Sequence, residues 1–222
     1  IVGTRFQLST VAALANVDVD AVDAGLELPR SRRFVAPDSD DEDGYRFTHD
    51  RVQEAAYALI PREQRSELHR KAARMLMSSD LPDARVFEAI RHFDEAQTLI
   101  EDPAERVPWA DLALRAARLA KTAGAWETAR HHVGMAAALL GPDLHERDFD
   151  RFRAITEELA EANYLLGDYA ATDAAIDSLL AQARTNDDRA AVYVLRPLSL
   201  LARNDLVGSL SASKLILREI GV

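Results

Sequence analysis

The residues of this chain with the most evident chemical capacity are two neighbours, His49 and Asp50. A histidine ring can donate a hydrogen bond to a phosphate oxygen, and an aspartate can cap the helix that positions the histidine. The same two residues also suit a structural interpretation, in which Asp50 is only a helix N-cap and His49 a half-buried residue at a strand end. Their spacing leaves both interpretations open.

The other reactive side chains do not combine into a recognisable site. The sequence has no Gly-x-x-x-x-Gly-Lys-Ser/Thr loop to cradle a triphosphate and no cysteine to serve as a nucleophile. His131 and His132 are adjacent, so a helix would point them in different directions, and we expect surface histidines rather than a metal site. Acidic pairs at 157–158 and 187–188 are expected on helix surfaces or starts. We therefore predict no catalytic residue, no metal and no cofactor in this chain, and no enzyme activity.

Length and composition favour a helical protein with two small domains. The chain has 222 residues, and its apolar share of 48% is dominated by Ala and Leu. No apolar run approaches the roughly 20 residues needed to cross a bilayer, so we expect a cytoplasmic location and no membrane partner. A net charge of −10 repels a phosphate backbone, so nucleic acid is not an expected partner. The chain begins Ile-Val-Gly without Met, and we treat it as a fragment.

The first eighty residues predict a winged-helix-like domain. Apolar residues at helical spacing indicate two short helices before Pro29, the second with Asp18 as N-cap. Two β-like segments, 34–35 and 45–48, flank an acidic loop at 38–43 and indicate a hairpin. Because that loop is acidic, it does not suit the wing of a DNA-reading domain.

Two further helices follow the hairpin. Asp50 and Gln53 have the spacing of a capping box, which predicts a helix beginning there. Ile60-Pro61 ends this helix, because the residue before a proline avoids the α region. The next helix is expected to bury Leu68, Ala72, Met75 and Leu76.

Residues 81–222 predict a domain of helix pairs in series. Three similar blocks begin at Gly124, Gly167 and Asn204, and Trp126 and Tyr169 stand two residues into the first two blocks. Each block resembles the turn inside a tetratricopeptide repeat, where Gly or Asn adopts a left-handed conformation and an aromatic residue packs between two antiparallel helices. The spacings of 43 and 37 residues exceed the roughly 34 typical of that family. The expected architecture is therefore a loose tetratricopeptide-like α-solenoid.

Apolar stripes at helical spacing lie on both sides of each turn. The first helices of the three pairs carry Leu112, Ala116, Leu119 and Ala120; Ile155, Leu159, Ala162 and Leu166; and Val192, Leu195, Leu198 and Leu201. Such stripes predict a core, and their alanines predict close helix packing. A proline at 197 predicts a kink or a break in the last pair.

The run from Tyr45 to Pro61, with Glu63-Gln64-Arg65 and Leu68-His69 after it, resembles a known segment. It is similar to the segment that closes the ATPase module of bacterial STAND-type signalling proteins, which are fused to kinases or nucleotide cyclases. The resemblance implies that His49 and Asp50 monitor bound nucleotide, with the histidine near the β-phosphate of ADP at rest. It also implies ATP or ADP in the parent protein, and an upstream nucleotide-binding domain of the same polypeptide as a partner. The stretch at 86–106 resembles the same family.

Three functions remain open from the sequence. The leading hypothesis is a non-catalytic regulatory and sensor segment of a signalling ATPase, whose helix pairs bind a protein or ligand while the winged unit restrains the nucleotide domain. The first alternative is a freestanding repeat adaptor that scaffolds a complex. The second is a transcription regulator with a helical sensor domain.

Overall fold

A computed structural model describes residues 1–39, 41, 43–77, 81–100 and 102–219. The protein is mostly helical and has one small antiparallel sheet, which confirms the expectation of a mainly α fold. By backbone contacts it divides into two compact units, Ile1–Glu101 and Asp102–Val222. The domain boundary predicted after residue 80 falls outside the described residues, as do positions 40 and 42 of the acidic loop.

Among its described residues, the first unit has three short strands and six α-helices. In chain order its elements are β1 (Arg5–Gln7), α1 (Leu8–Ala15), α2 (Val19–Gly25), α3 (Glu27–Ser31), β2 (Val35–Pro37), β3 (Gly44–Phe47), α4 (Asp50–Ala58), α5 (Arg62–Met77) and α6 (Asp83–Ala96), followed by a 3-10 turn at Gln97–Leu99. α5 packs against α6, and their buried residues form much of the core of this unit.

The sheet has the order β1-β3-β2, so β3 is its central strand. The predicted hairpin is present, because β2 pairs antiparallel with β3 and places Val35 opposite Phe47. β1 was not predicted, since three residues are too few for an alternating pattern. It pairs with the other edge of β3, where Phe6 lies opposite Tyr45 and its ring stacks on that of Tyr45.

The predicted capping box is wrong. α4 begins at Asp50 itself, so His49 is the N-cap residue, with extended backbone angles of φ −147° and ψ 142°. Gln53 instead accepts a hydrogen bond from the Thr4 hydroxyl at 3.2 Å, which draws its side chain towards β1. Asp50 lies in the first turn, where its negative charge complements the helix dipole.

The second unit consists of helices. They are α7 (Pro103–Thr122), α8 (Trp126–Leu140), the short α9 (Leu144–Arg147), α10 (Phe149–Leu165), α11 (Tyr169–Gln182), α12 (Asn186–Ala202) and α13 (Leu206–Glu219). α12 continues through Pro197, so the helix is not broken there. None of the described helices combines the length and apolar character needed to cross a bilayer.

Each predicted pair of helices is packed together in the second unit: α7 with α8, α10 with α11, and α12 with α13. The alanines of α7 from Ala110 to Ala120 are almost fully buried, which allows close approach of the neighbouring helices. One core cluster joins α10, α11 and α12 through Ala160, Ile176, Leu179 and Val192. The stripe residues of α7 and α10, with Val192 and Leu195 of α12, are buried or half-buried, as the sequence predicts. The prediction is wrong for Leu198 and Leu201 of α12, which are 37% and 49% exposed.

Candidate functional site

His49 and Asp50 lie at the junction between β3 and α4, and both side chains are exposed. The backbone just before them is tied down on two sides. The Phe47 N–H donates to the Thr4 carbonyl at 2.9 Å, and the Thr48 N–H donates to the Phe34 carbonyl at 3.0 Å. The strand end that carries His49 is thus fixed, while its ring remains open to a ligand.

Thr48 contributes a role that sequence reasoning missed. Its hydroxyl donates to the Arg33 carbonyl at 2.6 Å, and Arg33 has a left-handed backbone, with φ of 57°. This contact joins the start of the strand-to-helix junction to the turn after α3. No sequence pattern shows that the residue before a His-Asp pair fixes the local backbone, so this role of Thr48 could not be predicted.

Arg65 of α5 holds the far end of α4. Its guanidinium donates to the Ile60 carbonyl at 2.9 Å and to the Ala58 carbonyl at 3.0 Å. The same group lies 4.7 Å from the centre of the Tyr57 ring, within the range of a cation–π interaction. One cation therefore satisfies carbonyl groups at the C-terminus of α4 and complements its dipole.

A buried pair of histidines lies beyond Tyr57. Nδ1 of His69, on α5, is 2.9 Å from Nδ1 of His92, on α6, and the Tyr57 hydroxyl is 3.2 Å from Nε2 of His69. His69 and His92 are 6% and 2% exposed. The expectation of a surface position is wrong for His132, which is also buried, whereas its neighbour His131 is exposed.

The pair is neutral at pH 7. Burial lowers the pKa of His69 to about 4, and burial together with the neighbouring imidazole and Arg91 lowers the pKa of His92 to about 4. A hydrogen bond between two Nδ1 atoms requires that one ring carries the proton and the other accepts it. Double protonation would set two N–H groups and two positive charges against each other. Within the described residues no group of three or more His, Asp or Glu side chains could hold a metal ion.

The three predicted turn residues share one backbone geometry. Gly124, Gly167 and Asn204 have φ of 73°, 76° and 64°, which is the left-handed region. In each turn the next N–H donates five residues back, from Ala125 to Ala120 at 2.9 Å and equivalently in the other two. This is the bond of a Schellman motif, which ends one helix and lets the next begin two residues after the left-handed residue.

The large residues of the turns differ in their burial. Trp126 and Tyr169 are half-buried and open α8 and α11, and the Tyr169 ring lies 6.2 Å from the Tyr164 ring of α10. Leu206, at the corresponding place in the third turn, is 58% exposed. The third pair therefore repeats the backbone of the other turns without their packing.

A row of ion pairs relates α7 to α10. Asp111 pairs with Arg151 at 2.9 Å, Arg118 with Glu158 at 2.9 Å and Lys121 with Glu161 at 2.8 Å, and each pair is separated by 40 positions. A constant separation means that the two helices run in the same direction. α7 and α10 are thus equivalent first helices of successive pairs.

Comparison with known protein families, with curated proteins and with solved structures finds no match to this chain.

Proposed function

We propose that this chain is a non-catalytic regulatory and sensor segment of a bacterial signal-transduction ATPase. In this proposal His49 and Asp50 monitor the ADP or ATP held by a nucleotide-binding domain of the same polypeptide. The helix pairs bind a protein or another ligand. The observation that carries the proposal is the exposed His49 ring on an anchored strand-to-helix junction, inside the run that resembles STAND-type ATPases.

The first unit supports a winged-helix interpretation through its element order. Helices α1 to α3 lie between β1 and β2, and the sheet order β1-β3-β2 makes the β2–β3 hairpin the wing. The second unit supports a solenoid, because successive first helices run parallel and each pair is joined by the same turn. Stacked helix pairs create extended surfaces suited to recognition.

His49 is placed to act as a hydrogen-bond donor to a phosphate oxygen. Its exposed ring begins α4, and the bonds of Phe47 and Thr48 restrict the movement of its backbone. A hydrogen bond to a charged group contributes roughly 1.5–3 kcal/mol, so its loss should speed release of ADP about tenfold or more. At rest this contact would hold the winged unit against the nucleotide domain, and exchange of ADP would release it.

The test uses the natural polypeptide that contains this chain. The coding sequence upstream should encode a phosphate-binding loop, and His49→Ala should raise the dissociation rate of a fluorescent ADP analogue about tenfold. His131→Ala, at another exposed histidine, is the matched control and should leave that rate unchanged. An upstream region without a nucleotide domain, or equal rates for the two variants, would refute the proposal.

A freestanding adaptor is the second candidate, and one observation favours it. Several leucine and valine side chains of α12 and α13 are exposed, which suits protein recognition without nucleotide. Two results would support the adaptor over the sensor. The purified chain should capture a defined partner, and the natural polypeptide should bind that partner with the same affinity in the presence and absence of ADP.

A further inference from the structure

Helix α4, which begins directly after His49, is held to the first unit by few contacts. None of its residues is buried, whereas the neighbouring α5 and α6 each bury several. The residues of α4 that are half-buried lie on one side of the helix, and they are Val52, Gln53, Ala56 and Tyr57. Apolar burial therefore contributes little to the position of α4, and polar contacts have a larger share.

Within the described residues, the side chains of α4 make two hydrogen bonds to other elements. Gln53, near the start of the helix, accepts from the Thr4 hydroxyl, and this contact is exposed to water. Tyr57, in the last turn, has its hydroxyl 3.2 Å from Nε2 of His69, whose ring is buried. Because water competes less for the second bond, the bond of Tyr57 is the stronger constraint on α4.

Tyr57 and the buried histidine pair form one chain of hydrogen bonds. Each neutral imidazole carries one proton. If the Tyr57 hydroxyl donates to Nε2 of His69, then His69 donates through its Nδ1 to Nδ1 of His92. If the hydroxyl accepts instead, both bonds reverse. In either direction both ring nitrogens of His69 have a partner, and loss of the hydroxyl would leave Nε2 of this buried ring unpaired.

The ring of Tyr57 is held as well as its hydroxyl. It is nearly perpendicular to the His69 ring, with an angle of 78° and a distance of 6.0 Å between the ring centres. On α5, one turn before His69, the Arg65 guanidinium lies 4.7 Å from the centre of the Tyr57 ring. Arg65 also donates to the carbonyls of Ala58 and Ile60. Two residues of α5 therefore hold the C-terminal end of α4.

We propose that Tyr57 is a positioning residue for His49, which acts by holding α4 on the buried histidine pair. The backbone bonds of Phe47 and Thr48 fix the strand on one side of His49. A tilt of α4 on the other side must then change the backbone torsion angles of His49 and turn its ring. A displacement of about 1 Å is enough to lose a hydrogen bond to a phosphate oxygen. This inference rests on the proposed contact of His49 with a nucleotide.

The first measurement is hydrogen exchange of the full chain, resolved by mass spectrometry. Tyr57→Phe removes the hydroxyl and keeps the ring that Arg65 contacts, and it should speed exchange in α4 about threefold or more. Tyr164→Phe is the matched control, because the Tyr164 hydroxyl makes no hydrogen bond within the described chain. Unchanged exchange in α4 would overturn the inference. So would an equal acceleration in α4, α5 and α6, because Tyr57 would then stabilise the whole unit.

The second measurement is release of the fluorescent ADP analogue from the natural polypeptide. Tyr57→Phe should raise the dissociation rate about three- to tenfold, and not beyond the effect of His49→Ala. Added to His49→Ala it should change nothing further, because a positioning residue acts only through the ring that it positions. If His49→Ala speeds release and Tyr57→Phe does not, or if the two effects multiply, the inference alone fails. If His49→Ala has no effect, the proposed function fails, and the inference with it.

Discussion

Acidification from pH 7 to pH 4.5 should destabilise the first unit through the buried pair of His69 and His92. Both rings have a pKa of about 4 in the folded chain, against an ordinary value of 6.5. As pH falls below 6.5 the unfolded chain takes up protons that the folded chain does not. The free energy of unfolding therefore decreases as pH falls from 6.5 towards 4. Below pH 4 both the folded and the unfolded chain are protonated at these rings, so the two histidines cause no further loss.

The magnitude follows from the burial of the two rings. One pKa unit corresponds to about 1.4 kcal/mol, so a fall from 6.5 to about 4 is worth roughly 3 kcal/mol for one imidazole, of which about 2 kcal/mol is lost by pH 4.5. The two rings share one hydrogen bond, and protonation of the accepting ring at Nδ1 removes the acceptor that this bond needs. A loss of this size is a large fraction of the stability of a small domain.

Hydrogen exchange resolved by mass spectrometry can follow α5 and α6 between pH 7 and pH 4.5, after correction for intrinsic exchange rates. His92→Asn keeps a polar atom near Nδ1 but does not titrate, so its protection should depend less on pH. His131→Asn changes an exposed ring and should behave as wild type. Both tryptophans, Trp109 and Trp126, lie in the second unit, so their fluorescence monitors that unit separately. An equal loss of protection in wild type and His92→Asn would refute the reasoning.

Three further predictions concern the helix pairs, each measured as the free energy of unfolding in urea by tryptophan fluorescence. Gly124→Ala should cost about 1 kcal/mol, because the backbone φ at this position is 73°. Gly134→Ala is the control: it lies inside α8 with open space around the added methyl, and it should stabilise by roughly 0.5–1 kcal/mol. A stabilising effect of Gly124→Ala would contradict the turn geometry. Glu158→Gln removes the partner of two cations and should cost roughly 1 kcal/mol, less at high salt. The exposed Glu127→Gln, in the same unit, should have little effect, and a cost of Glu158→Gln that is independent of salt would argue against an ionic origin. Ile176→Ala empties a fully buried position and should cost about 2–5 kcal/mol, so a neutral effect would rule out the core joining α10, α11 and α12.

Local signals in the sequence located most elements of the fold. The three turns were identifiable because a left-handed residue strongly favours Gly or Asn, and this preference does not depend on the rest of the fold. The β2–β3 hairpin was identifiable from β-like residues on both sides of a polar loop. The capping box predicted from Asp50 and Gln53 is absent, because Gln53 bonds to Thr4, which lies 49 positions away. Spacing along the chain contains no information about such a competing partner.

In the candidate site, too, some residues could be predicted from the sequence and others could not. His49 and Asp50 could be selected from the sequence, because their neighbours form a recognisable run. The pair of His69 and His92 could not, since the two residues lie 23 positions apart on different helices. Their shared hydrogen bond exists only because α5 packs against α6.

The sequence by itself determined the helical class, the three turns and the apolar stripes, because backbone preference and hydrophobic periodicity act over a few residues. Tertiary structure alone decided which stripe is covered and which charges meet. The row of ion pairs between α7 and α10 and the hydrogen bond between His69 and His92 both depend on contacts between distant segments. Those contacts form when helices pack, and no local pattern encodes them.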